Sequence, residues 1–96
     1  MGKYTLSKLP SDILKEVATK HRDIRKQSKL SQADLANRSG VSLGSIKRFE
    51  RTGEISLHSF LKLLHILDRL DEFDLMLNAK ETAGVEHLFS SKTRRS

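Results

Sequence analysis

The sequence predicts an all-α protein of five helices. Apolar residues recur at helical rather than alternating spacing along most of the chain. Serines stand ahead of successive patterned segments, at Ser11, Ser31, Ser42 and Ser56, while Gly40 and Gly53 follow two of them. The 96 residues fit one compact domain with short tails. A chain of that size hides only about 60–65% of its unfolded surface, too modest a core for a deep catalytic cleft or a large cofactor pocket.

Residues 1–10 read as an arm, and residues 11–78 as the folded domain. The first helix should start near Ser11 or Asp12, just after Pro10, and end near Ser28, with Ile13, Val17 and Ile24 on one buried stripe. A capping box at Ser31-Gln32-Ala33-Asp34 starts the second helix, which runs to about Arg38. Gly40 ends it cheaply in the left-handed conformation, and Ser42 caps a third helix over about Leu43 to Arg51, closed by Gly53. Ser56 caps a fourth helix whose apolar pattern is too wide for one face: Leu57, Phe60, Leu64 and Leu67 can meet the core, and the others need a second partner. A short fifth helix carries Leu70, Phe73, Leu75, Met76 and Leu77. If the bend before it is small, Leu63, Ile66, Leu70, Phe73 and Leu77 share one face. Residues 79–96 read as a basic tail interrupted by Val85, Leu88 and Phe89.

The formal charge of +6 is unevenly spread: residues 1–29 carry +5, residues 30–53 +2, residues 54–86 −4 and the last ten +3. A basic N-terminal half beside an acidic segment suggests one face for a polyanion and another for a protein partner. With no cysteine, disulfides, thiolate metal sites and thiol nucleophiles are excluded. The N-terminus lacks a signal-peptide core and no apolar run is membrane-spanning, so a soluble cytoplasmic protein, at the nucleoid when bound to DNA, is expected. His58 and His65 lack zinc-ligand spacing, and Asp68, Asp71, Glu72 and Asp74 lack the pattern of a calcium loop. No triad pattern and no phosphate-cradling loop occurs, so no enzyme activity, metal or cofactor is expected.

Two short helices around a glycine turn, the second capped by Ser42, give the architecture of a helix-turn-helix. Leu30, Leu35, Ala36, Val41, Ile46 and Phe49 supply the apolar lock, leaving Leu43, Gly44, Lys47, Arg48 and Arg51 on the outer face of the second helix. Over residues 22 to about 70 the chain resembles the Cro and phage-repressor type of helix-turn-helix regulators. The matching residues are Ile24-Arg25, Leu30-Ser31-Gln32-Ala33-Asp34-Leu35-Ala36, Gly40-Val41-Ser42, Ser45-Ile46 and Phe49-Glu50.

The resemblance implies a five-helix Cro/C1-repressor-like domain that binds double-stranded operator DNA as a homodimer. Gln32 resembles the family's phosphate-contacting glutamine, and Ser42, Leu43, Gly44, Ser45 and Arg48 match positions that approach bases or adjacent phosphates. Arg25 and Glu50 match an arginine and glutamate that pair within the domain. The chain departs from the family at Leu43 and Gly44, where glutamines are common; bidentate readout of adenine is lost there, which leaves Arg48 as the main candidate for hydrogen-bonded base readout, with a phosphate contact as its alternative. Lys47 and Arg51 suit phosphates. Residues Ser56 to Leu77 resemble the Hip-type antitoxins, which implies repression of the protein's own operon and a kinase-fold toxin as partner. The shared face of Leu63, Ile66, Leu70, Phe73 and Leu77 would then serve dimerisation or that partner. A phage-type repressor without a toxin, and an interaction protein for which DNA is secondary, remain alternatives.

Overall fold

The computed structural model describes residues 8–78. It contains five helices: α1 Pro10–Gln27, α2 Gln32–Ser39, α3 Leu43–Thr52, α4 Leu57–Ile66 and α5 Leu70–Leu77. No strand occurs among the described residues, as the all-α reading expects. Most of the arm, and the tail with Val85, Leu88 and Phe89, lie outside the described residues.

Local chemistry sets the helix ends. Pro10 occupies the first turn of α1, where its missing N–H is no loss, and Asp12 Oδ2 accepts the Leu9 N–H at 2.9 Å. At α2 the box is reciprocal: Ser31 Oγ accepts from the Asp34 N–H at 2.9 Å and Asp34 Oδ2 from the Ser31 N–H at 3.1 Å. Ser42 and Ser56 likewise accept from the N–H groups of Ser45 and Ser59. Gly40 and Gly53 end α2 and α3 at φ 81° and 84°. Gly53 has a second duty, because a Cβ there would lie 2.4 Å from the Leu14 carbonyl oxygen, so α1 packs directly on its backbone.

The helices enclose one core of Leu30, Leu35, Val41, Ile46, Phe49, Leu63 and Leu67. α1 packs on α3, α2 bridges α3 and α4, and α5 leans on α4. Edge-to-face contacts link Phe49 to Phe60 and Phe60 to Phe73, with ring centroids 5.6 and 6.1 Å apart.

Four expectations are corrected here. Ile13 is 43% exposed, because the first turns of α1 overhang the core; the buried stripe instead runs through Ala18, His21 and Arg25, flanked by half-buried Val17 and Ile24. Leu57 is exposed rather than in the core. Leu63, assigned to an outer face, is completely buried. The inward side of α4 is the broad stripe Phe60, Leu63, Leu64 and Leu67, at i, i+3, i+4 and i+7, and Leu57 projects beyond it at the helix start. The face meant to continue through Leu63, Ile66, Leu70, Phe73 and Leu77 is therefore not continuous. Leu67 caps α4, Asp68 adopts the left-handed region at φ 63°, and α5 begins afresh at Leu70. Ile66 and Phe73 end half-buried, while Leu70 and Leu77 lie exposed.

Candidate nucleic-acid interface

α3 is a two-sided helix. Ile46 and Phe49 are buried on its inner side, and Gly44, Ser45, Lys47, Arg48 and Arg51 are exposed along the other, with Leu43 half-buried. Ser42 fixes the helix start: its Oγ accepts from the Ser45 N–H at 3.1 Å and shares a 2.8 Å hydroxyl contact with Ser45 Oγ. Gly44 is open to solvent, and a Cβ added there would meet nothing within 4 Å. The helix thus presents a bare backbone patch beside three cations.

Behind α3 a polar cluster replaces apolar packing. Arg25 donates from Nε to Glu50 Oε2 at 2.8 Å and from Nη2 to Glu50 Oε1 at 2.9 Å, a two-pronged charge-assisted pair. Its Nη1 donates to the Leu30 carbonyl at 2.9 Å, tying the link between α1 and α2 to the same guanidinium. Gln32 Nε2 donates to Glu50 Oε1 at 3.0 Å. His21 Nδ1 lies 2.8 Å from Glu50 Oε2 and, facing an acceptor-only carboxylate, carries the hydrogen. The side chains of His21, Arg25 and Glu50 are only 2%, 8% and 4% exposed, so one carboxylate on α3 anchors groups from α1 and α2 inside the fold.

Burial works against ionisation of Glu50, yet the hydrogen bonds from Arg25 and Gln32 and the charges of Arg25 and His21 outweigh it, holding the carboxyl below 4.5. For His21 burial wins. Together with the Arg25 charge it exceeds the pull of Glu50 and keeps the ring below 6.5, hence neutral near pH 7. Its Nε2 finds no hydrogen-bond partner among the described residues, and the ring rests edge-on against Phe49 at 4.8 Å.

Arg25 and Glu50 are brought together as a pair, and Ser42 to Arg51 along one helix. Gln32 sits at the start of α2, half-buried, with its amide turned to Glu50. Two participants escaped the sequence reading. His21 stands one turn before Arg25 on α1, a spacing that places it beside the same carboxylate once α1 is docked. Glu54 meets Arg48 across the Gly53 reversal, with Arg48 Nη2 donating to Glu54 Oε1 at 2.6 Å, and no linear spacing announces such a contact. Among the described residues no group of three His, Asp or Glu side chains could hold a metal, and no helix is long and apolar enough to cross a membrane.

The family model described as Helix-turn-helix matches residues 22–73, which takes in α2, α3 and α4 and the cluster from Arg25 to Glu50. No curated protein and no solved structure matches the chain significantly.

Proposed function

Because the chain belongs to the XRE-type helix-turn-helix family of DNA-binding transcription regulators, with an all-α Cro/C1-like fold, we propose that it is a sequence-specific repressor that seats α3 in the major groove of its operator. The observation that carries this reading is the division of α3, locked from behind by Ile46 and Phe49 and bare in front at Gly44, Lys47, Arg48 and Arg51. Arg48 reads a guanine through O6 and N7; Leu43 touches a thymine methyl, and Gly44 lets the backbone come close. Lys47 and Arg51 contact phosphates, joined by Gln32 through the amide hydrogen that Glu50 does not take, and by Ser42 and Ser45 at the start of α3. Arg25 and Glu50 act from behind as a structural pair.

The preferred site is found by selection from a random duplex library, and binding is then measured on single-base variants. Arg48→Ala should cost about 1–3 kcal/mol on the preferred site and relax discrimination at one guanine, whereas Lys47→Ala weakens all sequences alike. An unchanged specificity profile in the Arg48 variant refutes the readout assignment.

A homodimer with α3 helices about 34 Å apart would span one turn of operator DNA in the cytoplasm. Exposed Leu70 and Leu77, with half-buried Ile66 and Phe73, offer the apolar contact such a pair needs. Sedimentation of the free and operator-bound protein tests it: a monomer at full operator occupancy rules the dimer out. A second reading is favoured by α5, where exposed Leu75, Met76 and Leu77 stand among Asp71, Glu72 and Asp74. On that reading the protein is an antitoxin that represses its own operon and docks a kinase-fold toxin. Expression beside the neighbouring open reading frame, followed by co-purification, decides it.

A further inference from the structure

The ion pair of Arg48 and Glu54 contributes little to folding and lies on the surface assigned to DNA. Its side chains are 63% and 56% exposed, and an exposed pair shifts a folding equilibrium by at most about a factor of five. Yet it is held in a closed ring of hydrogen bonds. Gly53 reverses the chain after α3, with its own backbone pinned beneath Leu14. Thr52 Oγ1 donates to the Arg48 carbonyl at 2.8 Å, and the Glu54 N–H donates to that same hydroxyl at 3.0 Å. The Glu54 carboxylate then returns to Arg48 Nη2 at 2.6 Å. The arginine side chain is thus tied to a segment that hangs from its own backbone, at the edge of a hollow of about 340 Å³ lined also by Ser45 and Ser59.

A carboxylate facing DNA repels phosphates and offsets a cation that would otherwise attract them. That loss of attraction makes sense if the pair improves selection. A guanidinium carries five N–H donors arranged in forks, so one bond to Glu54 leaves a complete two-donor fork, the shape that guanine O6 and N7 accept. Holding a long side chain in its reading orientation beforehand also removes ordering entropy from the binding step. Among ion pairs between described residues, Arg48 is the one cation of α3 that has a carboxylate partner; Lys47 and Arg51, the phosphate candidates, take part in none.

We propose that Glu54 is a positioning residue for base readout, which orients the Arg48 guanidinium toward one guanine and lowers affinity for DNA lacking that base. This rests on Arg48 being a base reader. The test measures binding of the full chain to the preferred site, to sites with each guanine replaced, and to a random duplex, for Glu54→Ala, Glu54→Gln, Arg48→Ala and the double variant Arg48→Ala with Glu54→Ala. Glu54→Ala should melt with the parent, bind the random duplex more tightly, and lose about 5- to 10-fold of the discrimination at one guanine. Glu54→Gln, which keeps an acceptor, should retain most of that discrimination. In the Arg48→Ala background, Glu54→Ala should change the discrimination no further. Undiminished discrimination in Glu54→Ala overturns the proposal while leaving Arg48 as reader. An equal loss in both backgrounds also overturns it, since Glu54 would then touch a base directly, for instance a cytosine amino group. If Arg48→Ala itself is silent, the readout assignment falls and this inference with it.

Discussion

Replacing Glu50 by alanine tests whether the cluster behind α3 is a structural device. The substitution strips Arg25 of both carboxylate bonds and leaves it one acceptor, the Leu30 carbonyl, for a side chain only 8% exposed. It also frees His21 Nδ1 and Gln32 Nε2. Removing one partner of a buried charge pair costs about 3–5 kcal/mol, because the remaining charge stays desolvated. A domain of this size holds about 5–15 kcal/mol in all. With about 4–8 °C of melting temperature per kcal/mol, the variant should melt roughly 12–40 °C below the parent. Circular-dichroism melts measure that shift, and operator binding is compared at a temperature where both proteins are folded. There the variant should still recognise its site. A variant that melts within about 2 °C of the parent but no longer binds DNA would show that Glu50 is a contact residue and refute the structural assignment.

Acidification should weaken the fold in two stages. The folded protein resists protonation of His21, mainly through burial, so stability is full above pH 6.5 and declines as pH falls from there toward the lower folded value. The Glu50 carboxylate is held below 4.5, so its contribution is complete above that pH and is lost on further acidification. Urea midpoints between pH 7.5 and 3.5 trace both stages, and His21→Gln should erase the first; a parent midpoint that is flat between pH 7 and 5 contradicts it. Gly53→Ala should destabilise far more than Gly40→Ala. Both glycines have positive φ, worth about 1–2 kcal/mol against alanine, but only at Gly53 does the new Cβ strike backbone, at 2.4 Å from the Leu14 oxygen. Equal melting losses would mean that α1 yields there. Gly44→Ala should raise stability by about 0.5–1 kcal/mol, since the site is helical and open, while weakening operator binding if the bare backbone lies close to the bases. A stabilised variant with unaltered affinity removes that close approach.

The helix ends were legible because their chemistry is local. A serine hydroxyl three residues from the N–H it caps, or a glycine at the last turn, needs no tertiary information, and Ser31, Ser42, Ser56, Gly40 and Gly53 stand where their spacing implies. The buried cluster was only partly legible. Arg25 and Glu50 were matched through resemblance, but a carboxylate accepting from three side chains on α1 and α2 appears only when both are docked on α3. Histidine reads equally well as a surface residue until that docking is known. The Gly53 contact with Leu14 was hidden for the same reason, since the sequence requires a left-handed turn there but not the proximity of α1.

Helical periodicity identifies an apolar stripe without saying how wide a sector its neighbours cover, and that is where Ile13, Leu57 and Leu63 were misassigned. Leu63 joins the core with Leu35 of α2, and Leu64 lies buried beside Val17, His21 and Ile24 of α1, so the apolar excess on α4 is largely consumed within the monomer. The surface left for another chain has shifted toward α5, to Leu70, Leu75, Met76 and Leu77. That matters for testing the dimer. Polar substitution of Ile66 or Phe73 would disturb side chains already packed against the core or Phe60, so lost association could reflect a loosened fold. Leu77, two-thirds exposed, separates the two effects: Leu77→Ser should leave the melting of an isolated monomer nearly unchanged while weakening any assembly that covers this face.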